Sequence, residues 1–312
     1  MVAGVLVLVM AACAGESGEP APGPPPKVTA TFHLGSGRMP DVATDSSTHR
    51  AYVTSSGDDS LYVVDAKARI GAIKVGKAPG FVAVDPTTQS AYVTIGNSVS
   101  VIDIESGAIT GVIEVGRVPG GIEVDSATGT VFVANLLDDT VSVIDAKSRK
   151  VTSTIEVGTS PDKMGVDPAS RLLYVANSGN ATVSVVDPVK SAVIATISVG
   201  RSPRDVAIDS ARHTAFVPNA GEDSVSVLDL EKRTVVQTMK VGGQPTAATV
   251  DSGAVYVTNS GSSSVSVIDA EKRTVTHTVG VGAGPRTVAA DPSTHTAWVV
   301  NYKANSISVI GR

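Results

Sequence analysis

Residues 203–242 read PRDVAIDSARHTAFVPNAGEDSVSVLDLEKRTVVQTMKVG, and the rest of the chain is largely this unit repeated. Seven prolines open the successive units at intervals of 39 to 42 residues: Pro40, Pro79, Pro119, Pro161, Pro203, Pro245 and Pro285. Soon after each proline, the first strand of the unit ends in an aspartate: Asp45, Asp85, Asp125, Asp167, Asp209, Asp251 and Asp291. A period of this length is typical of architectures in which each repeat is one supersecondary element. The sequence therefore predicts seven structural repeats.

Each repeat contains four short β signals separated by turn residues. The third signal reads Val-Ser-Val-Ile-Asp in its commonest form, as in residues 141–145, and alternates with the period of a strand. Connections rich in Gly, Asn and Asp replace the helices that a βαβ unit would need. Four antiparallel strands per repeat predict one propeller blade each, so the fold class is all-β, a seven-bladed β-propeller over residues 27–312.

The second strand of each repeat carries an aromatic residue. Seven of the eleven aromatic side chains in the chain occupy this one position: Tyr52, Tyr92, Phe132, Tyr174, Phe216, Tyr256 and Trp298. A large side chain found in every repeat serves packing better than ligand stacking, because a ligand site needs features that differ between blades. We expect these residues to fill the core between blades.

The chain ends suggest how the ring closes. The last repeat stops after its third strand, Ser306 to Ile310, whereas Lys27 to Gly35 (KVTATFHLG) matches a fourth strand and precedes the first proline. We therefore expect the N-terminal strand to complete the last blade.

The first 26 residues have the composition of an export signal and a tether. Residues 1–12 contain an apolar run too short to span a bilayer, and Met10-Ala-Ala-Cys13 resembles a bacterial lipobox, in which the cysteine is lipidated. An ordinary secretory signal is the alternative. Residues 13–26 are rich in Pro, Gly and Ala, which predicts an extended tether. Either signal predicts an extracytoplasmic protein, and the lipobox adds a membrane anchor on Cys13.

Charge and cysteine content exclude some classes of function. The net charge of −5 argues against general nucleic-acid binding, which usually needs a broad basic surface. Cys13 is the only cysteine, so no disulfide or catalytic thiol is available in the repeats. We expect no cofactor, no metal and a monomer.

Three segments identify a resemblance to a known repeat family. Residues 51–54 (AYVT), 173–177 (LYVAN) and 255–259 (VYVTN) resemble the signature of the YVTN family of β-propeller repeats. This resemblance implies a bacterial or archaeal envelope protein whose architecture is similar to haem d1, lactonase and streptogramin-lyase propellers. The chain departs from the signature at Ile95 and Pro218, which we attribute to local turn geometry.

Function is expected on the face that carries the loops before strand one and between strands two and three, which we call the proline face. Polar residues on it that the repeat does not dictate form the candidate ligand site: Arg38, Asp41, Lys77, Arg117, Asp162, Lys163, Arg201, Arg204, Asp205 and Arg286. Functional residues are usually found at positions that differ between repeats while the framework residues stay the same. They predict a mildly basic channel mouth for a small anion, a glycan acid or an acidic peptide, and the alternative is a solvated rim of alternating charges.

The acidic pairs and the histidines give little indication of a metal site or a catalytic site. Acidic pairs such as Asp58-Asp59 could bind calcium, but they lie on separate repeats and match ordinary turns. His49, His213 and His295 share one turn position, and no Ser-His-Asp set is evident. The sequence thus favours a non-enzymatic envelope scaffold or binding lipoprotein with a protein or small anionic partner. A propeller hydrolase or lyase with a metal at the channel mouth, and a structural surface-layer component, are the alternatives.

Overall fold

The computed structural model describes residues 24–35, 37–65 and 69–311. Seven four-stranded antiparallel sheets follow one another in a ring, which confirms the predicted seven-bladed β-propeller. One short 3-10 turn, Ser210–Arg212, is the only helical element in this part of the chain. None of its helical segments is long and apolar enough to cross a membrane. The proposed signal segment, Cys13 and most of the tether lie outside the described residues.

Strands run from the innermost to the outermost position in each blade. Blades 1 to 3 contain β2 (Val42–Asp45), β3 (Arg50–Ser55), β4 (Ser60–Val64), β5 (Arg69–Lys74), β6 (Val82–Asp85), β7 (Ser90–Ile95), β8 (Ser98–Asp103), β9 (Ile109–Glu114), β10 (Pro119–Asp125), β11 (Thr130–Asn135), β12 (Thr140–Asp145) and β13 (Lys150–Glu156). Blades 4 and 5 contain β14 (Pro161–Val166), β15 (Leu173–Asn177), β16 (Thr182–Asp187), β17 (Ala192–Ser198), β18 (Ala207–Asp209), β19 (Thr214–Asn219), β20 (Ser224–Asp229) and β21 (Thr234–Lys240). Blades 6 and 7 contain β22 (Pro245–Asp251), β23 (Ala254–Asn259), β24 (Ser264–Asp269), β25 (Thr274–Gly280), β26 (Pro285–Asp291), β27 (Thr296–Asn301), β28 (Ser306–Gly311) and β1 (Lys27–Phe32).

The N-terminal strand closes the ring, as its sequence predicted. Strand β1 pairs antiparallel with β28, with Lys27 opposite Gly311 and Phe32 opposite Ile307. The Phe32 ring stacks on Trp298 with centroids 6.3 Å apart. The strand ends at Phe32, short of the expected Gly35. Closure therefore rests on backbone pairing and on an aromatic contact to the core of blade 7.

The aromatic residues of strand two fill the interfaces between blades. All seven are buried, and each belongs to a cluster that continues into the next blade. Tyr52 packs with Val82 and Ala91 of blade 2, for example, and Trp298 packs with Val42 of blade 1. Since burying a large apolar side chain contributes about 1.5–3 kcal/mol, these seven contacts are a major source of cohesion around the ring. The prediction of an architectural role is confirmed.

Aspartates at the ends of the first strands fix the turns and join neighbouring blades. The Asp45 carboxylate accepts the Ser47 backbone N–H at 2.9 Å. Asp291 lies 3.1 Å from Nδ1 of His49, and Asp251 lies 3.3 Å from Nδ1 of His295, each across a blade boundary. These histidine side chains lie at the turn position that the sequence indicated and are more than half exposed, but they also bridge two blades.

An asparagine at the end of strand two supports the loop that follows. Asn219 Nδ2 donates to Ser224 Oγ at 3.2 Å and to Ser226 Oγ at 2.9 Å. A Cβ on Gly200 would lie only 2.6 Å from the Asn219 side chain, so this glycine lets the preceding loop pack on the amide. The asparagine and the glycine of the repeat are therefore one packing unit, and Ile95 takes the asparagine position in blade 2.

The acidic pairs of the loops also serve structure. The second aspartates of three pairs accept backbone N–H groups of the loop entering the next blade: Asp59 from Ala78 at 2.9 Å, Asp139 from Ser160 at 2.8 Å and Asp223 from Gln244 at 2.8 Å. Each acidic pair thus anchors a loop between blades, as ordinary turn chemistry predicts.

Candidate functional site at the channel mouth

Seven equivalent positions near the start of the innermost strands form a ring at the channel mouth. These inner-ring residues each stand four places before the strand-end aspartate of their blade: Asp41, Phe81, Gly121, Lys163, Asp205, Ala247 and Thr287. The backbone contacts repeat accordingly. Asp41 Oδ2 accepts the Val82 N–H at 3.2 Å, and Asp205 Oδ2 accepts the Ala248 N–H at 3.2 Å, both from the next blade. The ring geometry is regular, whereas its chemistry differs from blade to blade.

An ion pair spans the channel within this ring. Lys163 Nζ donates to Asp41 Oδ1 at 2.8 Å. Lys163 belongs to blade 4 and Asp41 to blade 1, so the pair joins nearly opposite sides of a seven-bladed ring. Burial alone would lower the pKa of Lys163. The carboxylates of Asp41 and Asp205 have the larger effect, so the pKa of Lys163 lies above its usual range. The lysine is therefore charged, and it ties the two sides of the channel together.

A second ion pair joins blades 4 and 5. Arg204 Nε lies 2.9 Å from Asp162 Oδ2, and the aspartate is almost completely buried. Burial raises the pKa of Asp162 even though Arg204 and Lys163 favour its charged form. In these two ion pairs, Lys163 and Arg204 neutralise the charges of Asp41 and Asp162 at the mouth.

A cavity of about 370 Å³ occupies the channel, lined by the innermost strands. Glu123 of blade 3 and Asp205 of blade 5 lie on its wall, and Glu123 is half-buried because it faces the cavity. Burial, reinforced by the charge of Asp205, raises the pKa of Glu123 to about 8. Burial likewise raises the pKa of Asp205 to about 6. Near neutral pH, Glu123 is thus a neutral acid that can release a proton.

The raised pKa of Glu123 predicts a loss of stability as pH rises. The folded chain holds a proton between pH 4.5, the ordinary pKa of glutamate, and about pH 8, whereas the unfolded chain releases it. The free energy of unfolding should therefore fall across this window, by about 2 kcal/mol after allowance for screening in the cavity. Glu123→Gln should flatten the dependence and raise the melting temperature at pH 8.5 by several degrees. Thermal unfolding from pH 5 to pH 9 checks this, with the exposed Glu114→Gln as control; parallel curves for Glu123→Gln and wild type would contradict it.

A smaller pocket of about 120 Å³ lies at the mouth, and we call it the mouth pocket. Its lining residues come from blades 2, 4, 5, 6 and 7: Phe81, Asp162, Lys163, Arg204, Thr246, Ser260, Gly284, Arg286, Thr287, Tyr302 and Lys303. The Arg286 guanidinium carbon lies 5.0 Å from the Tyr302 ring centre and 6.0 Å from the Phe81 ring centre. Two aromatic rings therefore hold this arginine by cation–π contacts.

Arg38 adds a second cation at the same wall. Its guanidinium carbon lies 5.3 Å from the Tyr302 ring centre, and its Nη1 donates to the Tyr302 hydroxyl at 3.2 Å. Among the residues that the structure describes, neither Arg38 nor Arg286 has a carboxylate oxygen within 4.0 Å, in contrast to Lys163 and Arg204. The mouth region therefore carries two guanidinium groups that have no carboxylate in ion-pair contact, although the charge of Arg286 acts on the nearby Asp162.

The predicted site residues divide into two sets. Those brought together at the mouth or the channel are Arg38, Asp41, Asp162, Lys163, Arg204, Asp205 and Arg286. The other three line neither cavity: Arg117 pairs with Asp138 at 2.6 Å, Arg201 pairs with Glu222 at 3.2 Å, and Lys77 is exposed. Phe81, Glu123, Thr287 and Tyr302 belong to the site and were not predicted. A comparison of equivalent positions would have found Glu123, because the other blades have Ala, Gly or Thr there.

Comparison with known proteins agrees with the fold. Residues 117–297 match the family model described as "Cytochrome D1 heme domain". Among solved structures, the chain is similar to hydrazine synthase from Kuenenia stuttgartiensis, with a TM-score of 0.76, 18% identity, and coverage of 90% of this chain and 98% of that one. At this identity the similarity shows the fold alone. A comparison with curated protein sequences finds no match.

The residues at the mouth do not fit a haem. An iron macrocycle needs an axial donor such as His, Cys, Met or Tyr. All five histidines lie outside both cavities, and Met164 on the channel wall is packed in the core between blades 3 and 4. Tyr302 lines the mouth pocket, but its hydroxyl accepts a hydrogen bond from Arg38. Within the described chain, no group of three or more His, Cys, Asp or Glu side chains is arranged to hold a metal ion.

The family match extends over blades 3 to 6 and into blade 7, which is more than half of the chain. The ring of seven blades agrees with it. The chain therefore belongs to the family of cytochrome D1 heme domains.

Proposed function

We propose that the protein is a non-enzymatic binding scaffold of the cell envelope, whose mouth pocket takes a small anionic ligand or an anionic group of a protein partner. The observation that carries this proposal is the pair of arginines on Tyr302. Lys163 and Arg204 are bound to carboxylates, whereas Arg38 and Arg286 are not. A guanidinium has a planar set of N–H donors that matches a carboxylate, so an anion is the natural partner of this wall.

The aromatic walls support binding rather than a merely solvated rim. Cation–π contacts hold Arg286 between Phe81 and Tyr302, which lowers the entropy that a flexible side chain loses on binding. Arg117 and Arg201 provide a contrast, because they are exposed and already paired with a carboxylate from another loop of the same blade. The mouth pocket is therefore the part of the proline face where we expect an anion to bind most tightly.

Substitution of Arg286 tests the proposed function. Arg286→Gln should weaken binding of a small carboxylate, measured with acetate and D-glucuronate by isothermal titration calorimetry, by at least tenfold, because a charge-assisted hydrogen bond contributes about 1.5–3 kcal/mol. Arg201→Gln removes an arginine of the same face that lines neither cavity, and it should change affinity less than twofold. Equal effects of both substitutions would mean that the anion senses only the general charge of the face, and the proposal would fail.

We also propose that the protein is exported and anchored by a lipid on Cys13, at the extracytoplasmic face of a membrane. The support is the apolar run of residues 1–12 followed by the lipobox-like residues 10–13 and a tether rich in proline and glycine. Cys13→Ser should move the protein from the membrane fraction to the soluble fraction. An unchanged distribution between the fractions would rule out this anchor.

A further inference from the structure

Thr287 is a buried polar residue that the fold leaves without a partner. It is 1% exposed, and among the described residues its Oγ1 has no hydrogen-bond partner. Nearly all buried hydroxyls in proteins are hydrogen-bonded, so one that is not calls for an explanation. Thr287 belongs to the inner ring and lines the mouth pocket together with Arg286. The mouth pocket is therefore the cavity from which a ligand would approach this enclosed hydroxyl.

The charges at the mouth pocket restrict the ligand to a weakly charged anion. Asp162 lines the pocket and Asp41 holds Lys163 at its edge, so a dianion such as phosphate would face two nearby carboxylates. Arg204 and Lys163 are already paired, which leaves Arg286 and the exposed Lys303 in the pocket and Arg38 beside it. A single carboxylate fits this balance, and its planar shape matches a guanidinium.

The size and walls of the pocket indicate one small ring. At about 120 Å³ the pocket is well below the 300–1,000 Å³ that is usual for drug-sized ligands. Phe81 and Tyr302 contribute apolar ring carbons, which the cations of Arg38, Lys163 and Arg286 cover in part. Ser260 and Thr287 contribute hydroxyls. Such a mixture suits a molecule with C–H groups on its faces and hydroxyls on its edge.

We infer that the mouth pocket recognises a sugar acid, with a carboxylate bound by Arg286 and a neighbouring hydroxyl bound by Thr287. This inference rests on the proposed function and deepens it by naming the class of ligand. Thr287 is a specificity residue in this account, because it separates a hydroxylated acid from a plain carboxylate. Arg286 supplies the attraction that both kinds of acid share.

Three variants at these two positions test the inference by isothermal titration calorimetry with D-glucuronate, D-glucose, acetate and inorganic phosphate as probes. Wild type should bind D-glucuronate at least tenfold more tightly than acetate, and it should bind glucose and phosphate more weakly than D-glucuronate. Thr287→Val keeps the shape but removes the hydroxyl, so it should weaken D-glucuronate binding about tenfold and leave acetate unchanged. Thr287→Ser keeps a hydroxyl and should retain most of the D-glucuronate affinity.

The melting temperature of the ligand-free variants separates recognition from structure. Thr287→Val should melt at or above the temperature of wild type, because the change removes a buried hydroxyl that has no partner. A lower melting temperature, or full D-glucuronate affinity in Thr287→Val, would overturn the inference. If Arg286→Gln weakens D-glucuronate and acetate alike and Thr287→Val weakens neither, the sugar-acid inference fails and the proposed function stands. If Arg286→Gln weakens none of the probes, both fail.

Discussion

A chain that lacks residues 27–35 should fail to form a stable propeller. The deletion removes β1 together with Phe32 and Leu34, exposes the backbone groups of β28 along a whole edge, and uncovers Trp298 in the core of blade 7. An unpaired edge strand recruits other chains, so the expected result is aggregation, or a melting temperature lower by more than about 15 °C. Thermal unfolding and light scattering of the purified variant check this.

A rearranged chain provides the control for that deletion. Because Lys27 lies opposite Gly311, the segment KVTATFHLG can also follow Gly311, with a two-residue Asn-Gly turn in place of Arg312, and pair with β28 in the same direction. A chain that begins at residue 36 and carries this extension should recover most of the lost stability. Recovery would show that the strand acts through closure of blade 7. A deletion variant with an unchanged melting curve would contradict the account of closure.

Lys163→Met should destabilise the propeller more than substitution of any exposed cation. The change leaves the buried carboxylate of Asp41, and the nearby carboxylate of Asp205, without their shared cation. Breaking a buried ion pair by removing one partner costs about 3–5 kcal/mol, which corresponds to roughly 10 °C in melting temperature. Arg117→Met is the matched control. Its ion pair with Asp138 lies at the surface, with the arginine side chain 66% exposed, and its loss should cost less than about 1 kcal/mol.

A double-mutant cycle separates this pair from general effects of substitution. Asp41→Asn keeps an oxygen that can accept the Val82 N–H, and it removes the charge that Lys163 neutralises. The double variant Asp41→Asn with Lys163→Met should therefore be more stable than Lys163→Met alone, with a coupling energy of about 1–3 kcal/mol. Additive effects of the two substitutions would show that the cross-channel pair does not act as a unit.

The framework of this protein could be predicted from its sequence because each structural requirement is repeated. The strand-end aspartates, the strand-two aromatics and the glycine that packs on Asn219 recur around the ring. Residues that the fold requires can therefore be told from residues that occur in one blade only. Closure was predictable for the same reason, since residues 27–35 repeat a pattern that the last blade lacks.

The site was harder to predict because it depends on differences between blades and on contacts across the ring. Lys163 and Asp41 are far apart in sequence, and only the ring topology brings blades 1 and 4 face to face. Tyr302 lies in a loop between strands two and three, a region whose sequence has the composition of ordinary turns. Phe81 and Thr287 stand at one position of the repeat and look like ordinary strand residues until the ring is assembled. Arg117 and Arg201 show the converse, because Asp138 and Glu222 from another loop of the same blade pair with them.

The family match suggests a haem ligand, but the side chains at the mouth of this chain do not fit one. At the mouth pocket lie Arg38, Arg286 and two aromatic rings, and carboxylates and a lysine line the channel below it. Such a donor set suits an organic anion better than an iron macrocycle. A common propeller can thus support different ligands through the few residues at its mouth.

The most direct test of the binding proposal is a crystal structure of the protein grown with saturating D-glucuronate. We predict one bound molecule in the mouth pocket, with a carboxylate oxygen within hydrogen-bond distance of the Arg286 guanidinium. A ligand bound instead to Arg117 or Arg201 on the outer loops, or a mouth pocket that contains only solvent, would contradict the account.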